Sequence, residues 1–172
     1  EEAERQSAYR SYLQKNEVLL QQRQAICRER LLRQYPSTPE LVQKLTGGQA
    51  AEVLWNRNAR AEDFTTVRLG LGRMDISSMI RTPAVRFSIR SDELEEQPAK
   101  LKADYQTIMQ IPSLLCIGQQ KLTGIIGEQT RVQEVVRNIV LQLAMLHSYT
   151  DVRLIGLFRE GEQELFSWLR WL

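Results

Sequence analysis

Between Lys121 and Phe158 two short β-branched runs flank one long helical stripe, and no other stretch restricts the fold of this chain so strongly. Lys121-Leu122-Thr123-Gly124-Ile125-Ile126-Gly127 reads as a buried strand that ends in a turn. Glu128 to Arg131 is polar and turn-like. Val132, Val135, Val136, Ile139, Val140, Leu143 and Ala144 then recur at steps of three and one, which is one face of an α-helix. Leu141, Met145 and Leu146 widen that face, so the spacing predicts a deeply buried helix. Val152 to Phe158 reads as a second strand. Strand, turn, helix, strand is a βαβ unit, which requires a parallel sheet and a right-handed crossover. The predicted class is α/β.

The turn before the helix is where chemistry would sit. A phosphate-binding loop reads Gly-x-x-x-x-Gly-Lys-Ser/Thr: backbone N–H groups wrap a phosphate, the Lys reaches the outer phosphates, and the hydroxyl holds Mg²⁺. Counted from Gly127, the second Gly falls on Val132, the Lys on Gln133 and the hydroxyl on Glu134. Val132 resists the left-handed backbone that Gly allows, Gln133 has no charge, and Glu134 would repel a phosphate. The expectation is a nucleotide-binding architecture without its catalytic apparatus, a degenerate P-loop NTPase-like domain. Gly127, Thr130, Arg131, Gln133 and Glu134 are the candidate positions in that loop. A βα turn with no ligand is the plain alternative; an anion or a partner carboxylate at Arg131 is the sharper one.

Composition removes other classes. With 23 basic and 21 acidic side chains the net charge is +2, too small to draw the chain to nucleic acid. Cys27 and Cys116 stand alone, without CxxC or Cys/His spacing, so no metal site is expected; two thiols in a reducing cytosol is the simplest reading. No run of about 18 apolar residues spans a bilayer. The first residue is Glu and the last five are Trp-Leu-Arg-Trp-Leu, which reads as a piece of something longer.

In chain order, Glu1 to Gln34 lacks Gly and Pro and carries a stripe through Tyr9, Tyr12, Leu13, Leu19, Leu20, Ile26, Cys27, Leu31 and Leu32, interrupted by Asn16 and Arg23, which predicts a long amphipathic helix. It is either packed on its own domain or a stalk. Thr38 is the expected N-cap and Pro39 the first residue of a short helix through Leu45, closed by Gly47-Gly48. Val67, Leu69 and Leu71 alternate with Arg68 and glycines as a strand, with Val85, Phe87 and Ile89 as its expected antiparallel partner. Asp92 to Glu95 resembles a capping box, and Pro98 restarts a helix through about Met109, with Leu101, Tyr105, Ile108 and Met109 inward. Pro112 to Ile117 reads as a strand, Gly118 to Gln120 as a turn, and the residues after Gly161 as a last amphipathic helix.

Leu54-Trp55-x-Arg57, Asp63-Phe64 and Val67-Arg68-Leu69-Gly70-x-Gly72 together resemble the "LWER … DF … VRLGLG" signature of the FtsK/SpoIIIE-type ATPases of type VII secretion systems, the EssC/EccC family. Val140-Leu141-Gln142-Leu143-Ala144, Leu146-His147-Ser148, Asp151-Val152-Arg153-Leu154 and Trp168-Leu169-x-Trp171-Leu172 continue the match in order. Asn56 departs from the usual Glu and Asn58 from a common Arg. The resemblance implies a membrane-proximal helical stalk over residues 1–60 and a RecA/FtsK-like domain over 61–172, on the cytoplasmic face of a bacterial cell membrane. It implies no cofactor here, with ATP and Mg²⁺ bound by other domains of the parent chain. It also implies contacts with other subunits of the secretion complex and with further ATPase domains, in an oligomer, and a coupling rather than catalytic role. An active ATP-hydrolysing domain is the alternative.

Trp55, Arg57, Asp63 and Arg68 are the candidate interaction residues. An internal ion-pair group of Arg57 and Arg68 around Asp63 is the simpler reading, and contact with another subunit the sharper one. His147, the single histidine, falls at a helix C-terminus four residues before Asp151 and reads as a cap or a local salt link. No catalytic residue is assigned. Trp168 and Trp171 read as core.

Overall fold

The computed structural model describes residues 1–82, 93–157, 159, 161 and 163–171. It contains helices α1 (Glu2–Gln34), α2 (Thr38–Thr46), α3 (Ala50–Val53), α4 (Glu93–Tyr105) and α5 (Gln129–Leu146), and strands β1 (Thr66–Asp75) and β2 (Thr107–Cys116). Ile117–Gln119 and Gln163–Trp171 form 3-10 helices. Helix and strand are mixed, with one two-stranded antiparallel sheet, β1–β2. The chain divides into two compact units: Glu1–Tyr35 with Gly70–Ser113, and Pro36–Leu69 with Leu114–Leu172.

In the first unit, α1 packs along α4. Gln24 Nε2 donates to the Tyr105 carbonyl at 2.6 Å, and the Tyr105 hydroxyl donates to Glu17 at 3.0 Å. Cys27 and Leu31 of α1 pack on Ile76, Ile108 and Ile111. α4 runs unbroken through Pro98, contrary to the expected restart there. A proline inside a helix forfeits one backbone bond and crowds the preceding turn; packing against α1 offsets that loss. α4 ends at Tyr105, so Ile108 and Met109 belong to β2 rather than to a helix. Gln110 has φ +57, and the inward residues on either side of it, Ile108 and Ile111, are three apart. That is the signature of a β-bulge, which re-aims the strand by one residue.

β1 forms where the alternation placed it, but its covered face changes after Val67, which is fully buried. Leu69 and Leu71 are 39% and 57% exposed, whereas Arg68, Gly70, Gly72 and Met74 take the covered face. Period-two alternation locates two faces but does not say which is inner. Here close approach decides: a Cβ on Gly72 would lie 3.4 Å from Ser113 Cβ. The partner of β1 is β2. The expected partner at Val85–Ile89 and the capping box at Asp92–Glu95 lie outside the described residues and side chains.

The second unit is built on the C-terminal end of α5. Leu41, Val53, Met145 and Leu146 form its core, with Leu45 and Leu141 against it. α5 covers the expected residues, but burial is concentrated in Gln142, Leu143, Met145 and Leu146 rather than along its whole length. α2 is capped one residue earlier than expected. Ser37 is the N-cap, and its N–H and Oγ–H donate to Glu40 Oε2 at 2.6 and 2.7 Å. Those bonds, the hydroxyl's first, hold the Glu40 carboxyl below its usual range.

The βαβ expectation fails at both strands. Lys121–Gly127 and Val152–Leu157 are not strands in the structure. Leu122, Ile126, Ile155 and Leu157 are 91%, 100%, 88% and 92% exposed. β-propensity measures fit to a paired, half-covered surface, and among the described residues no strand pairs with these runs.

Gly118 packs without space to spare. A Cβ there would lie 2.5 Å from Thr65 Oγ1, which accepts the Gly118 N–H at 3.0 Å. Gly118→Ala is expected to cost about 1–3 kcal/mol in urea unfolding. Gly124, with open space around it, is the control, and Gly124→Ala should change stability by less than about 0.5 kcal/mol.

Candidate functional site

The signature residues converge on the end of α5, in the second unit. The Trp55 N–H donates to the Met145 carbonyl and the Arg57 N–H to the Leu146 carbonyl, each at 3.0 Å. These are carbonyls that a helix C-terminus leaves without intrahelical partners. Arg57 and His147 thereby form a short parallel bridge.

Arg57 is 7% exposed, and its Nε lies 3.2 Å from Asp63 Oδ2. Its Nη1 donates to the Thr66 carbonyl. The expected ion pair with Asp63 therefore holds for Arg57. Arg68 instead points to Glu40, Nη1 to Oε2 at 3.8 Å. Sequence proximity to Asp63 suggested one cluster; the strand carries Arg68 away toward the capped end of α2.

The backbone of Arg68 is gripped by two side-chain amides. Its N–H donates to Gln142 Oε1 at 2.8 Å, and its carbonyl accepts from Gln142 Nε2 at 2.7 Å and Asn138 Nδ2 at 2.9 Å. Asn138 Oδ1 also accepts from Gln142 Nε2 at 3.1 Å and from the Thr38 hydroxyl. Gln142 is 2% exposed. It supplies one donor and one acceptor to a single residue, as a neighbouring strand would. Read from sequence, Asn138 has no role and Gln142 shows only within the Val140–Ala144 run. The signal was two amides four apart, and so on one helix face, inside an apolar stripe.

Thr65 has φ +58, uncommon for a β-branched residue. Its N–H donates to His147 Nε2 at 3.0 Å and its carbonyl accepts the Ile117 N–H at 3.1 Å. His147 Nδ1 lies 3.2 Å from the Leu143 carbonyl, and Phe64 meets the ring edge-on at 5.2 Å. With Nε2 accepting, the proton resides on Nδ1, so the ring is neutral and 2% exposed. His147 is the helix cap, as expected, but a buried neutral one rather than a cation in a salt link. Burial lowers its pKa first and the nearby Arg57 charge second, while the Leu143 carbonyl, Asp63 and Asp151 pull upward.

Trp55, at φ +56, is 52% exposed and meets Tyr149 edge-on at 5.7 Å. Trp168 is half-buried, with the Arg137 guanidinium 5.4 Å from its ring centre. The Trp171 side chain lies outside the described atoms.

The loop residues Gly127, Thr130 and Arg131 are exposed, Gln133 is half-buried, and Glu134 is exposed. Arg131 Nη1 pairs with Glu134 Oε2 at 3.3 Å, and the Thr130 hydroxyl donates to Glu128 at 3.2 Å. Gly127 needs neither a positive φ nor a close approach: a Cβ would meet only Val132 Cγ2 at an ordinary 3.7 Å. Among the described residues no cluster of metal-ligating side chains occurs, and no helix is long and apolar enough to cross a membrane.

Two outcomes follow from this geometry. Gln142→Leu keeps much of the volume but strands the half-buried Arg68 N–H, so unfolding free energy should fall by about 1–3 kcal/mol. For His147, the unfolded chain takes up a proton below about pH 6.5 that the folded ring resists. Its contribution to stability is whole above that pH and is lost as pH falls beneath it, until the folded ring protonates too. Urea midpoints should therefore drop between about pH 7 and pH 5.5, and this drop should shrink in His147→Gln.

No protein-family model matches the chain. It is similar to the ESX secretion system protein EccC of Geobacillus thermodenitrificans, with 27% identity over 169 residues. The ESX secretion system protein YukB of Bacillus subtilis is 24% identical over 172 residues, and the type VII secretion system protein EssC of Staphylococcus aureus 25% over 168. These alignments take in 98–99% of this chain but only 11% of the length of each relative. The signature run that knots itself onto α5 and the similarity along nearly the whole chain agree: this chain is similar to one segment of the EssC/EccC-type secretion-system proteins.

Proposed function

We propose that the chain is a non-catalytic coupling and docking module of a type VII protein-secretion ATPase. In this reading residues 1–60 are the stalk, joined to the transmembrane part of a longer chain. Residues 61–172 are a degenerate, RecA/FtsK-like ATPase domain that leads to the motor domains and contacts neighbouring subunits. The chain would lie at the cytoplasmic face of the cell membrane. Its partners would be other subunits of the secretion complex and further ATPase domains, not nucleic acid. The similarity to EccC, YukB and EssC supports the secretion role.

The state of the loop before α5 carries the non-catalytic part. The position of the phosphate-binding Lys is Gln133, the one nearby cation, Arg131, is paired with Glu134, and Gly127 makes no use of its freedom. An anion arriving there would meet the Glu134 carboxylate and would have to compete with it for Arg131. Signature residues Arg57, Asp63 and Arg68 are occupied internally, which makes them the frame of the module. Exposed Trp55 remains as its contact residue.

Titration of the chain with a fluorescent ATP analogue and Mg²⁺ tests this. The expected result is no saturable binding below about millimolar nucleotide. Micromolar binding removed by Gly127→Val would establish an active nucleotide site instead.

A further inference from the structure

α2 and α5, both in the second unit, border a groove of about 590 Å³ that is open to solvent. α2 presents Pro39, Val42 and Thr46 to it, and α5 presents Glu134, Arg137 and Leu141. Each set has the spacing i, i+3, i+7, so each is one stripe about two turns, or ~10 Å, long. Pro39, Val42 and Leu141 make the walls apolar, and Val42 is 43% exposed. Two helical ridges with an apolar furrow between them are the seat that a third helix takes.

The charged side chains of the two helices are Glu40, Lys44, Arg131, Glu134 and Arg137, and all but the last are matched. Arg131 pairs with Glu134 at 3.3 Å. Glu40 is turned to Ser37 and Arg68, and Lys44 lies 3.9 Å from Glu52; neither lines the groove. Arg137 has no carboxylate within ion-pair distance among the described residues, and Glu164, on the segment that carries Trp168, does not pair with it. The Arg137 guanidinium rests instead on the Trp168 ring, which steadies it on the α5 side of the groove. An apolar furrow with one uncompensated cation is complementary to an apolar segment with one carboxylate.

We propose that the groove between α2 and α5 docks one face of a partner helix, with apolar residues at i, i+3 or i+4, and i+7, and a carboxylate set against Arg137. The proposal deepens the docking reading above and rests on it for the role of the module. A small polar ligand is a poor occupant. Among the described residues no buried side-chain polar atom lacks a partner, so no convergent donors wait to orient one. A cationic helix is a poor occupant too, because it would bring its charge beside an Arg137 that has no carboxylate to offset it.

The test is an NMR titration of the isotope-labelled 172-residue chain with two synthetic helical peptides. Both carry Leu at i, i+3 and i+7; one is flanked by Glu and the other by Lys. The Glu peptide should bind with a Kd of about 10–300 µM. It should bind at least about fivefold more tightly than the Lys peptide, and the difference should shrink with added salt. The amides that shift should include Val42, Thr46 and Arg137. Val42→Asp puts a carboxylate on the apolar wall and should weaken binding at least about tenfold. Far-UV circular dichroism should not change, because Val42 lies outside the core of its unit. Arg137→Gln should leave the two peptides equal. No saturable binding of the Glu peptide below about 1 mM, equal binding of both peptides by the unsubstituted chain, or shifts confined to residues outside α2 and α5 overturns the proposal. So does self-association of the chain that Val42→Asp abolishes, since a second copy would then fill the groove. A failed Glu peptide with a blank nucleotide titration removes this groove alone; nucleotide binding with the expected peptide behaviour removes the non-catalytic reading and leaves the groove.

Discussion

Exposed strand edges present N–H and C=O groups that must find partners, and the outer edge of β1 finds them in side chains. At Thr66 the carbonyl accepts from Arg57, and at Arg68 both backbone groups are taken by Gln142, with Asn138 sharing the carbonyl. A third strand cannot add at this point without displacing them. The same contacts fix α5 against the start of the strand, and α5 in turn carries Met145 and Leu146 into the core with Leu41 and Val53. Both the polar grip and the apolar core of the second unit therefore hang on the last turns of one helix.

The route of the chain into that grip is tightly bent. Trp55 and Thr65 both adopt positive φ, which an L-residue with a large or branched side chain does not choose unaided. Each is held by bonds that a relaxed backbone would lose. Trp55 donates to the end of α5, while Thr65 bonds His147, Gly118 and Ile117 at once. One consequence is the sensitivity of this region to the charge on His147: a proton on Nε2 removes the acceptor that Thr65 needs. Another is that Trp55 is left facing solvent on a backbone that cannot easily turn it inward.

Much of this was legible in the residues. Helical periodicity placed α1 and α5, the Tyr35-Pro36 break and the glycine pair bounded α2, and Arg57 with Asp63 read correctly as an internal pair. What escaped had a common cause, namely that periodicity reports faces and not neighbours. β1 alternates as expected and buries Val67, but beyond it the covered face is that of Gly70, Gly72 and Met74, where a Cβ on Gly72 would lie 3.4 Å from Ser113 Cβ. The runs around Ile125 and Ile155 have strand composition, and among the described residues no strand pairs with them. Pro98 was given a veto that packing against α1 overrides. Gln142 looked like an interruption of an apolar stripe, and its importance depends on Arg68, far off in sequence. In the candidate loop, the sequence showed Gln133 and Glu134 where a phosphate loop has Lys and a hydroxyl, whereas the pairing of Arg131 with Glu134 is visible only in the fold.

A sequence signature shared with secretion proteins invites a catalytic or binding explanation, yet most of its polar residues here satisfy one another. That arrangement suits a part that keeps its shape, with Trp55 left exposed at its surface. The most direct measurement of the central claim, that the signature segment and the end of α5 form one cooperative knot, is residue-resolved amide hydrogen exchange. The N–H groups of Trp55, Arg57, Thr65 and Arg68, which all donate to α5 or its cap, should share a single opening free energy with the last turn of α5. All four should lose protection together in Gln142→Ala. Independent opening of these amides, or a loss confined to Arg68, would contradict it.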